Sequence, residues 1–286
     1  MPFKELPMNA MTILRLKNSL MGRLWPARVA EQHSRLFLTP RHFPQKDWEI
    51  QTEKQAQRLN FADDLSALRW ANSGPRILLM HGWESRATHM AVIANALVAQ
   101  GFDVFALDAP RHGQSGGNKS NPMEFARAIV EADIAFGPFY GALGHSMGGA
   151  ALAIACEQGV QIKRCVLISA PACLHDVLQG FARFMGLPAN CTRQFIARIE
   201  TEVGRPAKEL NSGQLLSLTP KPALLIHAPD DLEIPDSAVH NIRRYLTDAD
   251  ILQPPALGHR KIIRDIVVAE RIQTFFSEGV TPDNAG

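Results

Sequence analysis

The sequence contains no run of apolar residues long enough to span a membrane. Such a span needs roughly 18 to 20 of them, whereas the apolar runs here are short, with strand-length pieces such as 77–80 and 166–168. No uninterrupted apolar segment precedes a small-residue cleavage site, so no secretory signal is expected, and nothing in the composition supports a transit peptide. There is no low-complexity tract and no internal repeat. The net charge is only 30 − 28 = +2, which gives no footing for nucleic-acid binding. Cysteine is scarce: Cys156, Cys165, Cys173 and Cys191 include no C-x-x-C pair, and reduced, mostly buried thiols in a cytoplasmic protein are the simplest account. Metal-ligand spacing is missing as well, so no zinc site is expected from His81, His112 and His145, and no cofactor is implied.

What is present is an ordinary globular composition, 46% hydrophobic and 20% charged over 286 residues, enough for one large domain with a sizeable core. From residue 65 a regular alternation sets in. "LSALRW", the breaker "NSGP" and "RILLMHG" read as strand, turn and strand. Residues 89–101 have helical periodicity and stop at Gly101. "FDVFALD", "FYGALGH", "RCVLISA" and "ALLIHA" follow as strands, with helices "PMEFARAIVEADIAF" and "SMGGAALAIACEQG" among them. Near-continuous apolar strands alternating with helices predict a mostly parallel central sheet covered by helices on both faces, an α/β fold. About fifty residues between Pro171 and Pro222 interrupt the rhythm. Two helical stretches there are read as a small helical cap over about 174–217, carrying Phe181, Phe184, Met185 and Phe195. The expected division is thus an N-terminal extension, 1–64, packing on the core, followed by a domain at 65–286 with the cap inserted.

Charge is uneven along the chain. Residues 1–46 hold eight Lys or Arg and two acids, 8 − 2 = +6, leaving 2 − 6 = −4 for the rest. Within residues 11–25, Ile13, Leu16, Leu20 and Leu24 fall on one helical face, with Arg15, Lys17 and Arg23 elsewhere. The favoured expectation is a helix docked on the domain by that apolar face; contact with an anionic membrane surface is the alternative.

In "GALGHSMGGAALAIA", Ser146 stands between Gly144 and Gly148. A serine hydroxyl is a weak nucleophile near neutral pH and needs a base, which in turn needs an orienting group. A sharp strand-to-helix turn tolerates only small residues two positions before and after the nucleophile, and the helix opening at Met147 turns its positive end toward it. Partners belong at the carboxyl ends of later strands. "ALLIHAPDDLEIP" offers Asp230 and Asp231 there, and "ILQPPALGHRKII" offers His259. The order serine, aspartate, histidine suits a triad on such a sheet, with His259 as the base and an aspartate fixing its tautomer.

These segments resemble the α/β-hydrolase superfamily, in its serine esterase, lipase and aminopeptidase-like branches, over roughly residues 65–280. "GHSMGG" at 144–149 is similar to the nucleophile elbow, "HGW" at 81–83 to the oxyanion-hole loop, "DAPRHGQS" at 108–115 to a D-x-P-G-H-G-x-S stretch, and "APDDLEIP" at 228–235 to the segment holding the acid. The resemblance implies Asp231 as the acid and the backbone N–H groups of Trp83 and Met147 as the oxyanion hole. Three positions depart from the family pattern: Arg111 and Ala228 replace usual glycines, and Trp83 is bulkier than the usual follower of His-Gly. His81, Asp108 and His112 are read as structural, His145 as packing beside the nucleophile, and His33, His42 and His240 as surface residues.

The expected function is cleavage of a carboxylic ester by Ser146, His259 and Asp231 through an acyl-enzyme, on a small acyl substrate. The aromatic cap points to an apolar acyl group. A thioesterase, a serine aminopeptidase using Glu200 or Glu202 to hold the substrate amine, and a non-catalytic binding protein on the same fold are the alternatives. Dehalogenase or epoxide hydrolase chemistry is disfavoured, since the relatives with those activities carry aspartate where Ser146 stands.

Overall fold

The computed structural model describes residues 8–278 and 280, which fall into two compact units. The larger comprises the described parts of His42–Ala172 and Ser212–Gly286. It is built on an eight-stranded sheet: β1 (Gln57–Phe61), β2 (Leu65–Trp70), β3 (Arg76–Met80), β4 (Asp103–Asp108), β5 (Gly141–His145), β6 (Arg164–Ile168), β7 (Ala223–Ile226) and β8 (Asp250–Leu252), in the order β1-β2-β4-β3-β5-β6-β7-β8. β2 runs antiparallel to β1 and β4, and all other neighbours are parallel.

Every residue of β4, β5 and β7 is buried, which is why their apolar character is continuous rather than alternating. Alternate residues Ile77, Leu79, Val104, Leu143, Val166 and Leu224 join Ile93, Leu97, Ile272 and Phe276, from helices Ala91–Ala99 and Ile266–Ser277, in one core. Each such side chain contributes about 1.5 to 3 kcal/mol by leaving water. Helix starts are chemically marked. Asn121 accepts from the N–H groups of Met123 and Glu124 ahead of Pro122, and Asp265 accepts from Val268 N–H.

The smaller unit comprises the described part of Met1–Arg41 together with Cys173–Asn211. Its helices are Met8–Leu24, Pro26–Leu38, Leu174–Met185 and Ala189–Val203, the last two closed by left-handed glycines, Gly186 and Gly204. Phe37, Phe181 and Phe195 form its centre, with ring centroids 5.2 to 5.8 Å apart. Two of the cap phenylalanines, Phe181 and Phe195, are therefore occupied in packing within this unit.

Domain boundaries differ from those read in the sequence. Residues 42–64 belong to the sheet unit, because β1 pairs with β2 in register from Gln57↔Arg69 to Phe61↔Leu65. The insertion closes at Asn211 rather than 217: Ser212 donates to Ala172 O through its N–H (2.9 Å) and to Pro171 O through its hydroxyl (2.7 Å), so helix Ser212–Ser217 belongs with the sheet.

The N-terminal helix also departs from expectation. Ile13, Leu16, Leu20 and Leu24 are 58 to 67% exposed, so the apolar face is not the docked one. Docking uses the opposite side, where Asn18 Nδ2 donates to Met185 O at 2.8 Å and Gly22 lies so close to Pro188 that a Cβ would meet its ring at 2.7 Å. His33, read as a surface residue, is buried, and its Nδ1–H donates to Val29 O at 2.8 Å. All four cysteines are free, three of them buried and Cys173 half-buried. Among the described residues no helix is long and apolar enough to cross a membrane.

Candidate active site

The sheet order reverses between β3 and β5: the chain leaves β3 to form β4 on one side, then returns to form β5 on the other. Loops leaving the carboxyl ends of these neighbours diverge, which opens a crevice. Ser146 follows β5 directly, and Gly82 and Trp83 follow β3.

Ser146 has φ +53° and ψ −121°, a conformation costly for a residue with a Cβ, between β5 and helix Met147–Glu157. The turn is this tight because the chain crosses itself. A Cβ on Gly148 would meet the carbonyl oxygens of Met80 and His81, and one on Gly144 would meet the backbone of Gly148 and Gly149. Gly82 lies equally close, a Cβ there falling 2.9 Å from both Ser146 Cβ and His145 Nδ1. The HGW loop is thus laid against the serine. Met147 N–H opens the helix, where developing negative charge is favoured.

Asp231 comes from the loop after β7, and His259 from the short helix Gly258–Lys261 that follows β8. His259 Nε2 lies 2.9 Å from Ser146 Oγ and accepts its proton, while Nδ1–H donates to Asp231 Oδ2 at 2.7 Å. The other oxygen, Asp231 Oδ1, accepts the N–H groups of Glu233 (2.7 Å) and Ile234 (3.0 Å). Burial raises the Asp231 pKa, but the hydrogen bond and charge of His259 with those two N–H groups outweigh it and hold the carboxyl at about 2. It stays ionised wherever His259 could act as a base. Asp230 points elsewhere: its Oδ1 accepts Gly258 N–H at 3.1 Å and tethers the loop that carries His259. Of the two acids open in the sequence, the structure brings Asp231 to the imidazole.

Three buried imidazoles hold the segments around the serine. His81 donates from Nδ1 to Gly82 O (2.7 Å) and accepts Ala109 N–H at Nε2 (3.1 Å). His112 donates from Nδ1 to Pro110 O (3.0 Å) and accepts Glu84 N–H at Nε2 (3.1 Å). His145 donates from Nε2 to His259 O at 2.9 Å. Burial first, then neighbouring positive charge, depresses all three to about 3, so each is neutral. Asp108 is the other hub. Its Oδ1 accepts Ala87 N–H (2.8 Å), and its Oδ2 accepts Arg58 Nη1 (2.7 Å) and Gln114 N–H (3.1 Å). It therefore ties β1 to the loops after β3 and β4, as a structural reading of this residue requires.

A family model described as serine aminopeptidase, S33, matches residues 72–232. The chain belongs to that family of α/β-hydrolases. Similar solved structures of that architecture include the Pyrococcus furiosus esterase Pf2001, 20% identical, with a TM-score of 0.62, covering 84% of this chain and 99% of that one. Est1E from Butyrivibrio proteoclasticus is 16% identical, with a TM-score of 0.61 over 78% of this chain and 98% of its own. The thioesterase domain from the curacin biosynthetic pathway is 15% identical, with a TM-score of 0.57 over 78% of this chain and 99% of its own. No curated protein matches the sequence.

Where α/β-hydrolases of this pattern usually carry glycine, Arg111 adopts φ +61°, the left-handed backbone that glycine reaches without strain. Its N–H donates to Gly116 O at 2.6 Å, which helps hold that conformation. The residue missed by sequence reasoning is Glu233. Its carboxylate lies 4.0 Å from His259 Nε2 and 3.3 Å from Arg260 Nε, and the side chain is only 13% exposed. Its place two residues after Asp231 was the available signal, since the turn that presents Asp231 carries Glu233 into the same crevice. Glu200, considered for an amine site, is engaged instead in accepting Ala207 N–H at 2.8 Å.

Proposed function

We propose that the protein is a serine hydrolase that cleaves carboxylic esters through an acyl-enzyme. The observation that carries this reading is the continuous relay of Asp231, His259 and Ser146, at 2.7 and 2.9 Å. Ser146 Oγ attacks the acyl carbon as His259 Nε2 takes its proton, and the carbonyl electrons move onto oxygen. The backbone N–H groups of Met147 and Trp83 hold that oxyanion, each donor contributing on the order of 10² to 10³ in turnover. The tetrahedral adduct collapses, the alcohol leaves with the proton from His259, and water activated by the same imidazole releases the acid. Asp231 keeps Nδ1 protonated throughout.

The experiment is labelling of the full chain by a fluorophosphonate, followed by turnover of simple acyl esters. Stoichiometric labelling that disappears in Ser146→Ala is expected. Asp231→Asn should leave the fold intact and lower kcat by about 10⁴, because it stabilises the wrong tautomer of His259. A well-folded wild type that does not label sinks the proposal. A second reading, aminopeptidase action, draws on the carboxylate of Glu233 beside His259, which would have to exchange its contact with Arg260 for the ammonium group of a substrate. Faster turnover of aminoacyl anilides than of neutral acyl esters, abolished by Glu233→Gln, would move that reading ahead.

A further inference from the structure

Helix Met8–Leu24 presents its apolar side to solvent, the reverse of what an amphipathic surface helix ordinarily does. At about 100° per residue, Ile13, Leu16, Leu20 and Leu24 fall within an arc of about 80°. They form one stripe, 66, 67, 59 and 58% exposed respectively. Trp25, just past the helix end, is 53% exposed. The orientation is not free to change. Asn18 and Gly22 lie about 160° from the centre of the stripe, and they are the residues locked against Met185 and Pro188. Turning the stripe inward would break the Asn18 bond and drive bulky leucines into a gap that accommodates only glycine.

Charge accompanies the stripe. Lys17 and Arg23, both exposed, flank it about 20° beyond either edge. Arg28 is exposed at the start of the next helix. Between Glu5 and Glu31 the sequence holds four basic residues, Arg15, Lys17, Arg23 and Arg28, and no acid. An apolar row bordered by cations, with an indole at one end, matches the layering of an anionic bilayer surface, where acyl chains lie beneath a negatively charged headgroup region. Elsewhere exposed apolar side chains are fewer in any one place: Ile134 and Leu218 are single, and Ile266 and Val267 make a pair.

We infer that residues 13–25 are a docking face for an anionic lipid surface, with Ile13, Leu16, Leu20, Leu24 and Trp25 entering the headgroup boundary and Lys17 and Arg23 meeting lipid phosphates. The helix lies in the interface and does not cross it. This inference is independent of the chemistry at Ser146, since it concerns where the protein sits rather than what it cleaves.

Flotation of the full chain with phosphatidylcholine vesicles, with and without phosphatidylglycerol, tests it. Binding is expected only with phosphatidylglycerol and should weaken at high salt, because exposed charge attraction is screened. Lys17→Gln and Arg23→Gln should each lower partitioning about fivefold. Leu16→Glu with Leu20→Glu should lower it at least about tenfold. All four side chains are exposed, and an unchanged circular dichroism spectrum checks that the variants remain folded. No flotation with anionic vesicles, or equal flotation of the double-glutamate variant, overturns the inference. So does a dimer, seen by light scattering, that the same double substitution dissolves while vesicles fail to bind; the stripe would then belong to a second copy of the chain.

Discussion

Lowering the pH from 6.5 to 4.5 should strongly destabilise this protein, and the larger cause lies with the buried imidazoles rather than with the carboxylates. His81, His112 and His145 are 0, 3 and 4% exposed, and each is held at about 3 in the folded state. In the unfolded chain they titrate near 6.5. A histidine whose folded pKa is depressed contributes stability that is fully present above the unfolded value and is lost as pH falls toward the folded one. Near pH 5 these three groups therefore bind about three more protons in the unfolded chain than in the folded one, and their contribution to the unfolding free energy should fall by roughly 4 kcal/mol per pH unit there. Integrated from 6.5 to 4.5 the loss is about 7 kcal/mol, set against a total of about 5 to 15 kcal/mol for a typical domain. Geometry supports the same sign. Protonating His81 or His112 would turn Nε2, which accepts a backbone N–H, into a donor facing that N–H. Asp231 acts mostly later: with its carboxyl at about 2 when folded, its contribution is complete above about pH 5 and is lost progressively as pH falls toward 2. Urea titrations followed by tryptophan fluorescence at a series of pH values measure the slope directly. An unfolding free energy that changes by less than about 2 kcal/mol between pH 6.5 and 4.5 would refute the reasoning.

Two further substitutions test the framework around the serine. Asp108→Asn removes the charge facing Arg58 and leaves one amide N–H opposed to another donor, so it should destabilise by about 2 to 3 kcal/mol, lowering Tm by roughly 4 to 12 °C in calorimetry. An unchanged Tm would show that Asp108 is not the hub described. Gly148→Ala must displace the elbow, because its Cβ would meet the backbone oxygens of Met80 and His81, which cannot rotate away. A loss of about 1 to 3 kcal/mol in stability and of about 10² in fluorophosphonate labelling rate is expected, and labelling at the wild-type rate would contradict the packing argument.

The parallel core was legible because burial on both faces leaves one signature, a short continuous apolar run, and "RILLM", "VFAL" and "ALLI" all carry it. The three residues of the relay were legible for a related reason: strand ends are visible, and each of the three follows one. Asp230 and Asp231 could not be separated by composition or periodicity. They differ only in which way a turn aims them, one toward His259 and one toward Gly258 N–H. β1 was missed because it is an edge strand with a single buried residue, Phe61, so its sequence is barely constrained by packing.

The N-terminal helix shows the physical limit of periodicity. A stripe of Ile13, Leu16, Leu20 and Leu24 reports that one side of a helix would gain by leaving water, but it does not report what that side meets. Here the protein–protein contact is made by the side with less to bury, because what decides docking is how closely two backbones can approach. Gly22 permits that approach to Pro188, and Asn18 supplies a hydrogen bond to Met185 that only one rotation of the helix can make. Small and polar residues fix the orientation, and the apolar stripe is left to face solvent with its cations beside it. A surface chosen only for solubility would place charge along that row. The apolar side chains left exposed there are the observation on which the proposed lipid contact rests.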